Sequence, residues 1–225
     1  MAPYPTTPEP EQKSDVSLGA LNEAGARELL DPASPVRRHY EALASNLLGM
    51  EGNEIVAVTS ADPGAGRTSV CLGLGAALAG MGRRAAVVDC NLENPQLHRI
   101  LGEPNFVGLT SALDDSKTLE HYGYEVIPGL LVVPTGPVLM DTVPLMENES
   151  VKKAARSLKK SRDVVLLDAP VAGGVLRSPS LLGGFDGVLL VVHASKTPKS
   201  VASEATEDLL AAGVNLLGVV LNGCS

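Results

Sequence analysis

Six short aliphatic runs limit what this chain can fold into. They read Ile-Val-Ala-Val at 55–58, Ala-Ala-Val-Val at 85–88, Leu-Leu-Val-Val at 130–133 and Val-Val-Leu-Leu at 164–167, followed by the stretches 187–192 and 216–221. Continuous apolar runs, rather than alternating ones, belong to strands buried on both faces, and parallel strands need crossovers that are usually helices. Helical spacing lies between the runs. Val36, Tyr40, Leu43 and Leu47 recur at intervals of four, three and four behind Ser34-Pro35, which reads as a helix start that runs to about Gly49. Further helices are expected over 68–81, 94–101, 108–114, 147–160 and 200–212. The fold class is therefore α/β: a doubly wound, mainly parallel sheet flanked by helices. Composition agrees, because 225 residues with two Phe, four Tyr and no Trp must build an aliphatic core.

Residues 1–33 carry six acids, two bases and prolines at 3, 5, 8, 10 and 32. Such a segment cannot bury enough apolar surface to offset its ordering entropy, so it is expected to be a disordered acidic tail with a transient helix around 21–30. The folded domain is placed at 34–225. The tail's net charge of −4 is half of the chain's −8, and an acidic chain disfavours nucleic acid as a partner. The cysteines at 71, 90 and 224 form no CxxC pair, which argues against a disulfide framework or a zinc site. With no leader-like start and no run of about 18 apolar residues, a cytoplasmic location is expected.

The first run leads into Thr59-Ser60-Ala61-Asp62-Pro63-Gly64-Ala65-Gly66-Arg67-Thr68-Ser69 and then a helix. A glycine-rich strand-to-helix loop presents successive backbone N–H groups at a helix N-terminus, which suits phosphate oxygens. The pattern is close to G-x-x-x-x-G-K-[ST], with Ala61 at the first glycine and Arg67 at the lysine. Two other runs end in carboxylates, Asp89 and Asp168, either of which could serve Mg²⁺ or accept a proton. The alternative for each is a plain strand terminator.

The ordered series Pro-Gly-Ala-Gly-Arg-Thr, Val-Asp-Cys-Asn-Leu-Glu-Asn-Pro-Gln-Leu-His, Gly-Leu-Thr-Ser-Ala-Leu, Pro-Thr-Gly-Pro, Val-Leu-Leu-Asp-Ala-Pro, Asp-Gly-Val-Leu-Leu-Val-Val and Leu-Gly-Val-Val-Leu-Asn-Gly resembles the bacterial tyrosine kinases (BY-kinases) of capsule and exopolysaccharide systems. These belong to the ParA/MinD-type deviant-Walker ATPases, and the resemblance spans Ser34 to Gly223. It implies a domain that binds ATP or ADP with Mg²⁺. Gly64, Ala65 and Gly66 would cradle phosphates with Arg67, Thr68 would ligate the metal, Ser69 would bond a phosphate and Asn222 would contact adenine. Asp89 would lie near the metal or act as base, and Asp168 would hold the metal's water shell. The resemblance also implies a membrane-embedded polysaccharide co-polymerase as partner through its cytoplasmic tail, peripheral location at the inner face of the membrane, and homo- or hetero-oligomers with a related kinase.

Several positions depart from the family pattern. Arg67 replaces a lysine, and a planar guanidinium is no conservative substitute for an ammonium. Asn91 replaces the second acid of the Asp-x-Asp segment, Glu93 stands where a base is expected, and Arg177 falls where relatives carry an Asp. In the first helix Arg38, Glu41 and Ala44 stand in the ring-forming Glu-x-x-Arg-x-x-Arg positions, so Arg38 and Glu41 are expected to pair within the helix. The segment Asp141-Thr142-Val143-Pro144-Leu145 keeps only the leucine of its family form. Tyrosines occur only at 4, 40, 122 and 124, so the phosphorylated tail of the family is expected to be absent. These departures favour a pseudokinase or regulatory member; a kinase acting on another chain and a ParA/MinD-like positioning ATPase are the alternatives.

Overall fold

The computed structural model describes residues 24–114, 117–138, 149–172, 182 and 184–224. Seven strands form one sheet: β1 (Ile55–Ser60), β2 (Ala85–Asp89), β3 (Tyr124–Ile127), β4 (Leu130–Val133), β5 (Val164–Asp168), β6 (Gly187–His193) and β7 (Leu216–Asn222). Their order is β3-β4-β2-β5-β1-β6-β7. Every pairing is parallel except that of β3 with β4. The six expected strands are all present. The seventh, β3, is an edge strand folded back through Pro128-Gly129, and with Glu125 exposed and Val126 buried it has no continuous apolar run.

The helices are α1 (Ala24–Leu30), α2 (Arg37–Leu48), α3 (Arg67–Gly80), α4 (Leu97–Ile100), α5 (Leu109–Asp114), α6 (Glu149–Leu158) and α7 (Lys199–Ala211). Alternate strand residues point to opposite faces, so the sheet divides two aliphatic cores. Val56 and Val58 pack with Leu30, Leu47, Leu72, Leu74 and Leu97 of α1 to α4. Ile55 and Ala57 pack with residues of α5, α6 and α7, among them Leu109, Leu158 and Leu209. Helix α3 is buried along most of its length. Its glycines allow α2 to lie close: a Cβ on Gly73 would stand 2.5 Å from the Tyr40 ring, and one on Gly80 would meet the Arg37 guanidinium. Arg37 is buried there, donating from Nη2 to the Ala76 carbonyl at 2.6 Å.

Two expectations about the front of the chain need correction. Residues up to 33 were assigned to a disordered tail, yet α1 packs on α3 with Ala26 and Leu30 buried. These two residues lie four apart on one helical face, a stripe narrow enough to be masked by the surrounding acids. The packed chain thus reaches back to Ala24 rather than beginning at Ser34. In α2, Glu41 pairs with Arg37 at 3.3 Å, one turn away, rather than with Arg38. Arg38 instead donates from Nε to His39, and Ala44 is buried in the core. The segment 141–145, Arg177 and Tyr4 lie outside the described residues.

The basic run that includes α6 is largely neutralised by its neighbours. Lys152 pairs with Glu149 at 3.0 Å, Lys159 with Glu54, and Arg162 with Glu120 and Glu125 at 2.8 and 3.0 Å. Most of the face is therefore internally paired, which leaves little unpaired charge to attract an anionic surface. No helix among the described residues is long and apolar enough to cross a membrane.

Candidate functional site

The parallel register brings the candidate residues to one edge of the sheet, where ligands bind in open α/β folds. β5 lies between β1 and β2, with Asp168 opposite Val58 on one side and Asp89 on the other. The phosphate loop leaves β1 on the same edge. Gly64 and Gly66 adopt φ of +77° and +88°, left-handed conformations that a side chain disfavours. Gly66 caps α3, and the first helical bond runs from Val70 N–H to the Gly66 carbonyl at 2.9 Å. The N–H groups before it lack intrahelical acceptors and can serve an anion. They border a cavity of about 450 Å³, whose far side carries Asn91, Glu93, Asn94 and Gln96. Ser69 lines the cavity with the loop.

Asn222, expected to contact adenine, buttresses the loop. Its Nδ2 donates to the Ala65 carbonyl at 2.9 Å, and a Cβ on Gly66 would stand 2.0 Å from the same nitrogen. Gly66→Ala is therefore expected to displace Asn222 as well as strain the left-handed turn, lowering the unfolding free energy by about 1 to 2 kcal/mol. Urea unfolding of the variant would check this.

Arg67 does not extend freely into the loop. Its Nε donates to Asp168 Oδ1 at 2.7 Å and its Nη1 to Ser60 Oγ at 3.3 Å, with the Arg67 side chain 9% and the Asp168 side chain 0% exposed. The hydroxyl of Thr68 donates to the other oxygen, Asp168 Oδ2, at 2.6 Å. Burial pushes the Asp168 carboxyl upward, and Arg67 and Thr68 oppose that shift by favouring the anion. Asp89 is also fully engaged. Oδ1 accepts the Asn91 N–H at 3.0 Å, while Oδ2 accepts those of Gln96 and Leu97 at 3.1 and 3.0 Å, tying the start of α4 to the end of β2. Burial, followed by the neighbouring Asp168 charge, raises the Asp89 carboxyl from 3.8 to about 7. Asn91 turns away to donate to the Asn94 carbonyl at 2.8 Å. Burial, then Asp89 and Asp168, push the Cys90 thiol well up, so it is held as an unreactive thiol.

The metal expected at Thr68, Asp89 and Asp168 does not fit this arrangement. All four carboxylate oxygens already accept hydrogen bonds, and one of the donors to Asp168 is the positively charged guanidinium of Arg67. Mg²⁺ requires octahedral ligation, with carboxylates free to bind it or its water shell.

Other groups at this edge were not singled out by sequence reasoning. Thr197 donates to Asp62 Oδ1 at 2.7 Å, joining the loop to the segment after β6, and Thr59 donates to the Pro170 carbonyl at 2.6 Å. Ser60 receives Arg67. Of these, only Ser60 carried a signal, as a hydroxyl at the end of the strand that feeds the loop.

A family model described as cellulose biosynthesis protein BcsQ matches residues 53–208, most of the chain and the whole site except Asn222. Tyrosine-protein kinase YwqD of Bacillus subtilis is 30% identical over 75% of this chain and 71% of its own length. The chain belongs to the BcsQ family of P-loop proteins and is related to the bacterial tyrosine kinases. Tyrosine-protein kinase CpsD of Streptococcus agalactiae serotype Ia is 26% identical over 87% of this chain and 86% of its own. Among solved structures, the chimerical protein CapA2B2 superposes with a TM-score of 0.80 at 25% identity, covering 89% of this chain and 90% of that one. The BY-kinase resemblance and the doubly wound P-loop fold are therefore as expected from sequence. Against this family background the Arg67–Asp168 pair stands out, since a lysine ammonium is the ordinary occupant of that position.

Proposed function

We propose that this chain is a nucleotide-binding BY-kinase-like protein of bacterial polysaccharide synthesis and export, with phosphotransfer weakened or lost. It would act at the inner face of the membrane through the cytoplasmic tail of a polysaccharide co-polymerase, as a regulatory subunit alone or beside a related kinase. The supporting observation is the buried ion pair between Arg67 Nε and Asp168 Oδ1 at 2.7 Å. Phosphoryl transfer depends almost wholly on positioned charge, and a lysine ordinarily cradles the β- and γ-phosphates. Here that charge is shared with a strand carboxylate, which leaves less of it for the γ-phosphate. Asp89, spent on three backbone N–H groups, is poorly placed to take a proton from a tyrosine hydroxyl.

Chemically, this leaves a loop that binds a diphosphate through backbone N–H groups and the N-terminus of α3, with Ser69 at its rim. The exposed Glu93 on the cavity's far side adds negative charge, which disfavours a third phosphate more than a second. Calorimetric titration with ADP and phosphotyrosine blots of a co-expressed co-polymerase tail test the reading together. The expected result is saturable ADP binding without phosphotyrosine. Phosphotyrosine on the tail that disappears with Arg67→Ala would establish the active-kinase alternative instead.

A further inference from the structure

We infer that Arg67 stands in for the divalent cation: bound to Asp168, its guanidinium bridges that carboxylate to the nucleotide phosphates, so the chain binds a nucleoside diphosphate without Mg²⁺. The inference rests on the nucleotide-binding reading above and extends it to the cofactor requirement.

In a P-loop site the metal supplies positive charge between the strand carboxylate and the phosphate oxygens. Arg67 meets both boundaries of that position. On the protein side its Nε reaches Asp168 Oδ1 at 2.7 Å and its Nη1 reaches Ser60 Oγ at 3.3 Å. On the ligand side it lines the cavity beneath the loop, together with Gly64, Gly66 and Thr68. A guanidinium carries five N–H donors in a planar fork, so it can hold a carboxylate along one edge and offer another to phosphate. A lysine ammonium is a compact point charge with three donors and lacks the planar fork that presents separate edges to two partners.

The groups that would otherwise serve a metal are occupied. Thr68 Oγ1 donates to Asp168 Oδ2 at 2.6 Å, and both oxygens of Asp89 accept backbone N–H groups. Asn91, replacing an acid in the family pattern, removes one negative charge from the same wall. Adding Mg²⁺ would place a divalent charge beside a buried guanidinium, whereas leaving it out keeps Asp168 paired with Arg67.

The test is calorimetric titration of the full chain with ADP, once in excess EDTA and once in millimolar Mg²⁺, repeated for Arg67→Lys. For the unaltered chain the two affinities should agree within about threefold, while Arg67→Lys should tighten by about tenfold or more when Mg²⁺ is supplied. An unaltered chain whose affinity for ADP rises by more than about threefold with Mg²⁺ overturns the inference while leaving nucleotide binding intact. If ADP is bound in neither buffer, the nucleotide reading itself fails and the inference falls with it. The comparison in the unaltered chain needs no variant, so a poorly folded Arg67→Lys protein would not obscure the result.

Discussion

Arg67→Ala should lower the unfolding free energy by about 3 to 5 kcal/mol, because it leaves a buried carboxylate without its counter-charge. With Arg67 in place Asp168 is wholly inaccessible, so its carboxylate relies on protein partners rather than on bulk water. Thr68 alone would remain on the carboxylate, through one hydroxyl at 2.6 Å. Part of the loss can be recovered by removing the orphaned charge. Arg67→Met combined with Asp168→Asn should be more stable than Arg67→Ala, since a neutral pair carries no uncompensated desolvation cost. Urea unfolding of the two variants beside the unaltered chain would check both statements. A loss below about 1 kcal/mol for Arg67→Ala would place the pair among solvent-screened surface contacts and remove the structural basis for the proposed function.

Stability should also fall as pH rises between about 4 and 7, with Asp89 as a source alongside the adjacent Asp168, whose carboxyl burial also raises. In the unfolded chain the Asp89 carboxyl titrates near 3.8, whereas burial and the adjacent Asp168 charge hold it at about 7 in the folded protein. Over that window the folded state binds more protons than the unfolded one, so its stability decreases with rising pH and levels off above 7. This contribution is fully present below the unfolded value. Asp89→Asn should flatten that slope. It should also lower stability throughout, by about 1 to 3 kcal/mol, because an amide NH₂ must then face either the Asn91 N–H or those of Gln96 and Leu97. Denaturation midpoints of both proteins from pH 4 to 8 would check this. Equal slopes would assign the pH dependence to other groups.

Most of the architecture could be read from local pattern, while the state of the site could not. Each continuous apolar run became a strand, because burial on both faces leaves a signature within a few consecutive residues. β3 escaped because Tyr124-Glu125-Val126-Ile127 is half-exposed at the sheet's edge and owes its place to the turn at Gly129. Helix α1 was expected only as a transient helix, because Ala26 and Leu30 alone anchor it among acids and prolines. Asp89 and Asp168 were identified by type and strand-end position, Arg67 by the loop pattern and Asn222 by the family resemblance, and the sheet gathers all four at one edge. Their partners depend on contacts across 101 residues for Arg67 with Asp168 and 157 for Asn222 with Ala65, which no local spacing encodes. Asp89 is the intermediate case. An acid at a strand end, followed seven and eight residues later by the first N–H groups of a short helix, has the makings of a cap, and the family resemblance drew attention to catalysis instead.

The relation of Arg67 to Asp168 decides between a regulatory nucleotide binder and a working kinase. The most direct measurement is steady-state phosphate release from ATP by the full chain beside its Arg67→Lys variant, at equal folded concentrations. Release should be near background for the unaltered chain and should rise by about 100-fold when lysine restores a compact ammonium to the loop, the scale set by one well-placed electrostatic contact to a transition state. Release from the unaltered chain that equals or exceeds that of Arg67→Lys would contradict the account.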